Sequence, residues 1–211
     1  MILPFNNSFA LILNKGLVVL CGCLLFAFTI TALPFSTILA QDQHQFVVTE
    51  SDVVFSSRTQ IERFDGITSA ATGSFNTETG HFRFEVPVDS IRTGNNRRDA
   101  KMREDYLLSE DNPYIKFNGL VQNWQSASQT NGEYIAKGTF SIAGFEREVE
   151  IPGNILFQKT ENSENTTVEI SSTFDIKLSD YNITRPRFLL VRLNDVQEVS
   201  VSFVLSAQSG N

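Results

Sequence analysis

The chain shows a repeated alternation of hydrophobic and polar residues, which is clearest in the segment HFRFEVPVD at 81–89. Phe82, Phe84 and Val86 occupy every second position there, and charged residues lie between them. Because successive side chains of a β-strand point to opposite faces, this period predicts a half-buried strand with its apolar face toward the core. Pro87 has no N–H to donate to a neighbouring strand, so we expect the strand to end or bulge near it.

Seven further segments have the same period and are separated by turn sequences such as NTETG at 76–80. Together with the first segment, the predicted strands cover residues 46–57, 67–75, 81–88, 114–122, 133–142, 145–157, 167–178 and 200–205. Short strands that follow one another mostly through hairpins indicate an all-β fold, either a closed antiparallel barrel or a sandwich. A parallel α/β sheet is disfavoured because no crossover helix of adequate length recurs.

The longest segment without a strand pattern is residues 92–112. Its TGNN sequence at 93–96 predicts a turn, and RRDAKMRED at 97–105 predicts a short charged helix. The charges of this helix fall at spacings that allow ion pairs between residues i and i+4, and a polar ligand head group is an alternative partner for them. From its length and its lost period, we hypothesise that residues 92–112 form a mobile cover over one end of a barrel.

The first 40 residues differ in composition from the rest of the chain. They contain one charged residue, Lys15, followed by an apolar run over residues 17–40. A positive flank, an apolar run and a small residue before polar sequence are typical of a secretory signal peptide, so we predict that residues 1–40 are cleaved off after Ala40. The alternative is an uncleaved N-terminal membrane anchor, since the run is long enough to span a bilayer. The LCGC sequence at 20–23 resembles a lipidation motif. It lies in the middle of the apolar run, whereas a cysteine that becomes acylated should follow the run, so lipidation is disfavoured.

The composition limits the partners of the remaining domain, residues 41–211. The chain has 17 basic and 24 acidic residues and a formal net charge of −7. Nucleic-acid recognition needs a basic face, and anionic lipid head groups are repelled by an acidic one. We therefore expect no nucleic-acid partner, and membrane contact only through the N-terminal segment if it is uncleaved. Both cysteines, Cys21 and Cys23, lie in that segment, so residues 41–211 have neither a disulfide nor a thiolate metal site. Export without disulfides suits a periplasm-like compartment.

Residue types with catalytic or metal-binding chemistry are few. The two histidines are His44, near the start of the domain, and His81, at a turn, and we interpret both as solvated. Soft metal sites and His-dependent triads are poorly supported without paired histidines or cysteines. Glu146, Glu148 and Glu150 share one face of a predicted strand, which indicates a solvated outer face rather than a glycosidase carboxylate pair. We expect no cofactor, no metal and no catalytic site.

The interior of an eight-stranded barrel can hold one small ligand or be filled by side chains. Small residues at the predicted inward positions leave volume unfilled unless large neighbours cover them. They are Ser57, Ser69, Ala71, Gly73, Ala136, Gly138 and Ser172. Phenylalanine is frequent on the same faces and could pack over the small residues as a solid core. The pattern alone does not distinguish a hollow interior from a filled one.

Several short motifs, in a fixed order, resemble the YceI-like family. They are GSF at 73–75, DSI at 89–91, RTG at 92–94 with RRD at 97–99, NPYIKF at 112–117, YIAKGTFSIAG at 134–144 and FDIKLSDYNI at 174–183. The resemblance implies an extended, lipocalin-like, eight-stranded barrel that is exported and binds a polyisoprenoid or similar long apolar chain in its lumen. Asn182 stands where many members have glycine, a tolerable change because asparagine accepts a left-handed backbone. Some relatives are thought to handle haem or electron carriers. Because no further histidines lie around His81, the resemblance gives little reason to expect that function here.

The chemistry of such a site is the burial of hydrocarbon, which contributes about 0.8 kcal/mol for each CH₂ before ordering costs. The predicted ligand-binding residues are Phe55, Ala71, Gly73, Phe75, Phe84, Phe117, Phe140, Ile142, Phe174 and Phe203, with Gly138 as a further residue that makes room. Each of them could equally be an ordinary core residue. The predicted function is therefore that of an exported, non-catalytic carrier of isoprenoid lipids. The alternatives are a structural or partner-binding barrel of the cell envelope with a filled core, and an enzyme acting on an isoprenoid-like substrate.

Overall fold

The domain is built around a β-sheet that closes on itself. The computed structural model describes residues 44–58, 63–125, 130–159, 166–185, 187–188 and 191–208. The predicted signal peptide, residues 1–40, lies outside these residues, and no helix within them is both long and apolar enough to cross a membrane. The strands are β1 (Gln45–Arg58), β2 (Arg63–Thr68), β3 (Thr72–Asn76), β4 (His81–Pro87), β5 (Tyr114–Val121), β6 (Gly132–Ile142), β7 (Phe145–Lys159), β8 (Thr166–Lys177), β9 (Arg187–Phe188), β10 (Val191–Arg192) and β11 (Val196–Ala207).

Eight strand positions form the closed barrel, which confirms the predicted antiparallel fold. The strand order is β11-β8-β7-β6-β5-β4-β3-β1, and β1 returns to pair with β11. β2 pairs with the C-terminal part of β1, on the same edge where β3 pairs with its N-terminal part. β9 and β10 form a separate two-stranded sheet. β7 and β8 pair only over residues 154–159 and 166–171, so residues 145–153 of β7 are not paired with β8.

The single strand that the sequence predicts at 67–75 is divided, because β2 ends at Thr68. The N–H groups of Ala70 and Ala71 donate to threonine and serine side-chain oxygens at 3.1 Å instead of to a neighbouring strand. Such side-chain bonds compete with the ladder and interrupt the alternation. In an uninterrupted strand Ile67 would share the inward face of Ala71 and Gly73, whereas in the divided one it is 48% exposed.

The two ends of the barrel differ in construction. One end, which we call the cover end, carries residues 88–113 between β4 and β5 and residues 178–195 between β8 and β11. The opposite end, the tryptophan end, carries the turn at 77–80 and Trp124. The two long segments 88–113 and 178–195 therefore share the cover end with the two-residue turn between β6 and β7.

The predicted helix at 97–105 is present in the cover end as two consecutive helical turns of different type. The first, α1, is an α-helix over Asn96–Lys101, and the second is a π-helical turn over Met102–Tyr106. π-Helical turns are rare and occur often at functional sites. We use the name cover for residues 92–112.

The core lies inside the barrel, and the outward faces are mostly polar. Phe75, Val168 and Leu205 have no exposed surface. On the outward face of β7, Glu148 accepts a hydrogen bond from Thr139 of β6. The Oε1 atom of Glu150 lies 3.1 Å from Nζ of Lys137, which is also on β6. These carboxylates thus belong to a solvated face, as the sequence indicates.

Candidate ligand-binding lumen

The inward faces of the strands enclose an apolar cavity of about 110 Å³, which we call the inner cavity. Its aromatic lining comes from most strands of the barrel and consists of Phe55, Phe75, Phe82, Phe84, Phe117, Tyr134, Phe140, Phe174 and Phe203. The aliphatic lining includes Val53, Val86, Ile115, Val121, Ile151, Ile155, Ile170, Val199 and Val201. No carboxylate, histidine or cysteine of the described residues lines it. Its chemistry is therefore suited to hydrocarbon.

A second cavity, the cover cavity, has a volume of about 120 Å³ and lies beneath the cover. Its apolar lining is Phe55, Phe64, Gly66, Ile91, Met102, Leu107, Ile115, Ile142, Ile176, Leu178, Ile183, Leu193 and Val199. Its polar lining is Ser57, Thr93, Arg98, Lys101, Tyr106 and Gln197. The lumen thus changes from mainly apolar in the inner cavity, where Lys116, Ser172 and Tyr134 are the described polar lining residues, to mixed in the cover cavity.

The rings of the inner cavity contact one another in a connected group. Phe84, Phe117 and Phe140 lie directly opposite each other on β4, β5 and β6. The ring centroid of Phe84 is 4.8 Å from that of Phe203, and that of Phe117 is 4.7 Å from that of Phe82. Offset and tilted pairs at such distances are the arrangements that aromatic rings prefer. Most of the aromatic wall is therefore held in place by other rings.

Trp124 closes the tryptophan end. Its ring centroid lies 5.1 Å from that of Phe75 and 5.4 Å from that of Tyr134, and its Nε1–H donates to the Thr77 carbonyl at 3.0 Å. Gly80 has a φ of +77°, and a Cβ atom there would come within 2.7 Å of the tryptophan side chain. Glycine thus allows both the turn and the close approach of the indole.

A buried carboxylate joins two parts of the cover, and backbone hydrogen bonds between Arg92 and Ile67 join the cover to β2. Asp99, which is 2% exposed, accepts hydrogen bonds from the Thr93 N–H at 2.9 Å and from its hydroxyl at 2.5 Å. These bonds tie α1 to the chain that leaves β4. On the inner side of the cover, Met102, Tyr106 and Leu107 face the cover cavity. A polar bond and an apolar face therefore hold the cover together.

Two cations border the cover cavity. Asn95 caps α1 by accepting from the N–H of Arg98 at 3.1 Å. The guanidinium of Arg98 lies 3.9 Å from the ring centroid of Phe64, a cation–π contact. Lys101 pairs with Asp105 across one helical turn at 3.4 Å. These cations form a positively charged rim at this end of the lumen.

The segment 178–195 completes the cover end. The Ser179 hydroxyl and N–H donate to the two carboxylate oxygens of Asp195 at 2.7 and 3.0 Å. These hydrogen bonds, the hydroxyl one first, hold the pKa of Asp195 below its ordinary value, and the lysine and arginine nearby act in the same direction. Asn182 has a φ of 54°, which confirms that it adopts the left-handed backbone that the sequence suggested.

Tyr181 is a buried phenol between this segment and the barrel. It is 4% exposed, and its ring centroid lies 5.7 Å from that of Phe140. Burial raises the pKa of its hydroxyl, and the neighbouring Asp180 adds to the rise, while Arg147 opposes it. The phenol is therefore kept neutral over a wider range of pH than a solvated tyrosine.

The family model of the YceI-like domain matches residues 44–207. The chain belongs to the YceI-like family. Three solved structures have similar folds: a polyisoprenoid binding domain from Saccharophagus degradans, BcnA of Burkholderia cenocepacia, and the YCEI protein of Campylobacter jejuni. No curated protein matches the sequence.

The structural similarity extends over most of this YceI-like chain. The Saccharophagus domain is 14% identical, with a TM-score of 0.65 over 79% of this chain and 99% of its own. BcnA is 19% identical, with a TM-score of 0.57 over 75% and 96%. The Campylobacter protein is 16% identical, with a TM-score of 0.53 over 66% and 81%. At these identities the similarity establishes a shared fold.

Eight of the ten predicted site residues of the YceI-like domain border a cavity. Phe55, Phe75, Phe84, Phe117, Phe140, Phe174 and Phe203 line the inner cavity, and Ile142 lines the cover cavity. Ala71 and Gly73 border neither cavity, nor does Gly138. Ala71 is instead part of the buried core. Contact of these residues with a ligand stays a prediction.

The glycines of the YceI-like barrel allow strands to approach each other closely. A Cβ atom at Gly73 would lie 2.5 Å from Cδ1 of Phe84 on the next strand. At Gly138 it would collide with the backbone of Asn118. The space beside each glycine is therefore already occupied, and these residues do not enlarge the lumen.

Sequence reasoning missed nearly all of the cover cavity. Its walls come largely from segments outside the predicted strands, among them Phe64, Ile91, Met102, Leu107 and Leu193. No two-residue period marks these positions. The available signal was the four-residue spacing of Met102, in the charged helix, and Tyr106, which follows it.

The described residues of the YceI-like domain contain no cluster of histidine, cysteine, aspartate and glutamate suited to a metal ion. Every buried side-chain nitrogen or oxygen among them has a hydrogen-bond partner. The polar groups of this part of the chain are thus used within the fold.

Proposed function

We propose that the protein is an exported lipid-binding protein that holds a polyisoprenoid or similar long apolar chain in its barrel lumen. The observation that carries the proposal is the inner cavity, which is walled by aromatic and branched aliphatic side chains and has no carboxylate or histidine among its described lining residues. The fold neighbour from Saccharophagus degradans is a polyisoprenoid binding domain, which supports the same class of ligand.

Binding by this lumen rests on the removal of hydrocarbon from water. Each buried CH₂ contributes about 0.8 kcal/mol, so several isoprene units supply a large gross free energy, part of which is spent on ordering the chain. A long chain needs more space than either cavity alone, since cavities of roughly 150 Å³ hold one benzene molecule. The ligand would therefore occupy both cavities and displace ring side chains between them.

The function requires no chemical step by the protein. The ionisable side chains among the described lining residues are Lys116 and Tyr134 at the inner cavity and Arg98, Lys101 and Tyr106 at the cover cavity, and no carboxylate or histidine lines either cavity beside them. We therefore propose carriage or sequestration rather than catalysis.

The cover end is the proposed entrance. The cover is fixed by hydrogen bonds and lies over the cavity with the polar rim, whereas the tryptophan end is closed by ring contacts. Hydrogen–deuterium exchange of the wild-type protein tests this route. We expect faster exchange in residues 92–112 than in the strands, and equal protection in both would end the idea of a mobile cover.

We also propose that the protein is exported and that residues 1–40 are removed. Support comes from Lys15 followed by the apolar run up to Ala40. N-terminal sequencing of the exported protein should begin at Gln41. A mature species that still carries Met1 would show that the segment is retained.

Loading of the delipidated protein with solanesol, a long prenyl alcohol, tests the binding function. Ala136 lines the inner cavity, and the adjacent Ile135 is exposed on the outer face of β6. Ala136→Trp should fill the lumen and abolish binding in native mass spectrometry, whereas the matched variant Ile135→Trp should bind one molecule like the wild type. Failure of the wild type to bind, or equal binding by both variants, would contradict the proposal.

A second candidate is a structural or partner-binding barrel with a filled interior. The small volumes of the two cavities, about 110 and 120 Å³, favour it. Gentle purification followed by solvent extraction separates the two functions. A stoichiometric apolar ligand supports the carrier, and a ligand-free protein that solanesol does not bind supports the structural barrel.

A further inference from the structure

The two cavities meet at three residues. Phe55, Ile115 and Val199 line both cavities and are the only described residues that do so. Phe55 on β1 and Val199 on β11 lie directly opposite each other in the barrel wall. We call these three the partition residues, because a continuous chain in the lumen has to pass between them.

Phe55 is held differently from the other six phenylalanines predicted to line the lumen. Each of the six has a ring contact with another aromatic side chain. Within the described part of the chain, Phe55 takes part in no such contact, and it is half-buried. Its ring is therefore not fixed by aromatic neighbours.

The backbone around Phe55 also leaves its ring space to turn. On the other edge of β1, its partner residue in β2 is Gly66, which has no side chain and lines the cover cavity. The other partition residues have less freedom. Ile115 and Val199 are 4% and 2% exposed, and both are β-branched, which restricts rotation about the Cα–Cβ bond.

We propose that Phe55 is the residue that determines the length of apolar chain the lumen accepts. With its ring between the cavities, the lumen offers only the inner cavity to a short chain. When the ring turns away, the two cavities join, and a long chain extends from the inner cavity to the cover cavity. This inference rests on the proposed binding function and adds to it a size selectivity set by one side chain.

The test compares the affinities of a short prenyl alcohol, farnesol, and a long one, solanesol. Phe55→Ala removes the partition ring, so we expect the ratio of solanesol to farnesol affinity to rise by about tenfold, the effect of burying about two further CH₂ groups. Phe174→Ala is the matched control. It removes a half-buried ring that lines the inner cavity only, and it should change both affinities by a similar factor.

A second variant tests the same inference in the opposite direction. A Cβ atom at Gly66 would lie 3.0 Å from Cγ2 of Ile91, so Gly66→Ala narrows the space beside the partition. We expect the solanesol to farnesol ratio to fall while farnesol binding is kept. Ratios equal to that of the wild type in both variants would overturn the role of Phe55. A wild-type protein that binds neither alcohol would instead overturn the binding function itself.

Discussion

The tryptophan end and the cover end close the same barrel by different physical means. At the tryptophan end, Trp124 packs against Phe75 and Tyr134, and its indole N–H is bonded to a backbone carbonyl. At the cover end, single carboxylates, Asp99 and Asp195, hold irregular segments by two hydrogen bonds each. Apolar packing over a large area is costly to break, whereas one hydrogen bond contributes roughly 1 kcal/mol net. The comparison supports the proposal that the tryptophan end stays closed and the cover end opens.

Truncation at the closed end should have the largest effect. Phe75 has no exposed surface and contacts Trp124, so Phe75→Ala should lower the free energy of unfolding by about 3–5 kcal/mol. Phe145, which is 38% exposed, provides the matched truncation, and its effect should stay below about 1 kcal/mol. Urea denaturation of both variants measures the difference. Similar losses in the two would show that the tryptophan end is not a tightly packed closure.

Loss of the buried carboxylate should loosen the cover without unfolding the barrel. Asp99→Ala leaves the Thr93 N–H and hydroxyl without their acceptor, at a cost of about 1–3 kcal/mol. Hydrogen exchange should become faster in residues 92–112 and stay unchanged in the strands. The control, Asp105→Ala, removes an exposed carboxylate of the same cover and should leave exchange close to that of the wild type. Uniformly faster exchange would contradict a separately opening cover.

Alkaline pH should weaken the contact between the cover end and the inner cavity. The pKa of Tyr181 is raised in the folded protein, so above about pH 10 the unfolded chain loses this proton first and the free energy of unfolding falls. Denaturant midpoints measured on both sides of that pH should show the fall in the wild type. Tyr181→Phe should reduce it, and Tyr114→Phe, at an exposed position, controls for the loss of a hydroxyl. If the free energy of unfolding of Tyr181→Phe fell as much as that of the wild type, the buried phenol would not be the cause of the alkaline destabilisation.

Lowering the pH should have the smallest effect on the stability of the protein, because it acts through one carboxylate of the segment 178–195. The pKa of Asp195 is lowered in the folded protein, so its stabilising contribution is complete above about pH 4 and is lost as the pH falls below that value. Asp195→Asn should lower the stability near neutral pH and flatten this acid dependence, as measured by thermal unfolding across the acidic range. Asp175→Asn, on the outer face of β8, is the control. Equal acid dependence in Asp195→Asn and the wild type would contradict the role of the Ser179 pair.

The strands were predictable from sequence because each has one solvated face, which produces a period of two. That period located β4 to β8 closely and placed seven phenylalanines on the lumen side. It failed at residues 69–71, where side-chain hydrogen bonds replace the ladder and turn Ile67 outward. Local side-chain competition of this kind leaves no mark on the hydrophobic pattern.

Of the two cavities of the candidate site, only the inner one was predictable from sequence, again because the prediction depended on the two-residue period of strands. The inner cavity is made by strand residues, whereas the cover cavity is made mainly by non-periodic segments that contact it through tertiary packing. The roles of Gly73 and Gly138 depended on the distance between neighbouring strands, which sequence does not contain. The division of the lumen at Phe55 likewise follows from strand pairing and packing, since its neighbours Val199 and Gly66 belong to other strands.

Photo-crosslinking with a prenyl alcohol that carries a diazirine group tests most directly whether an apolar chain occupies the lumen. After irradiation and peptide mass spectrometry, we expect the label on residues of both cavities, such as Phe84, Phe174 and Met102, with competition by solanesol. Label confined to exposed apolar residues of the outer face, such as Ile135 and Leu156, would contradict a ligand-binding lumen.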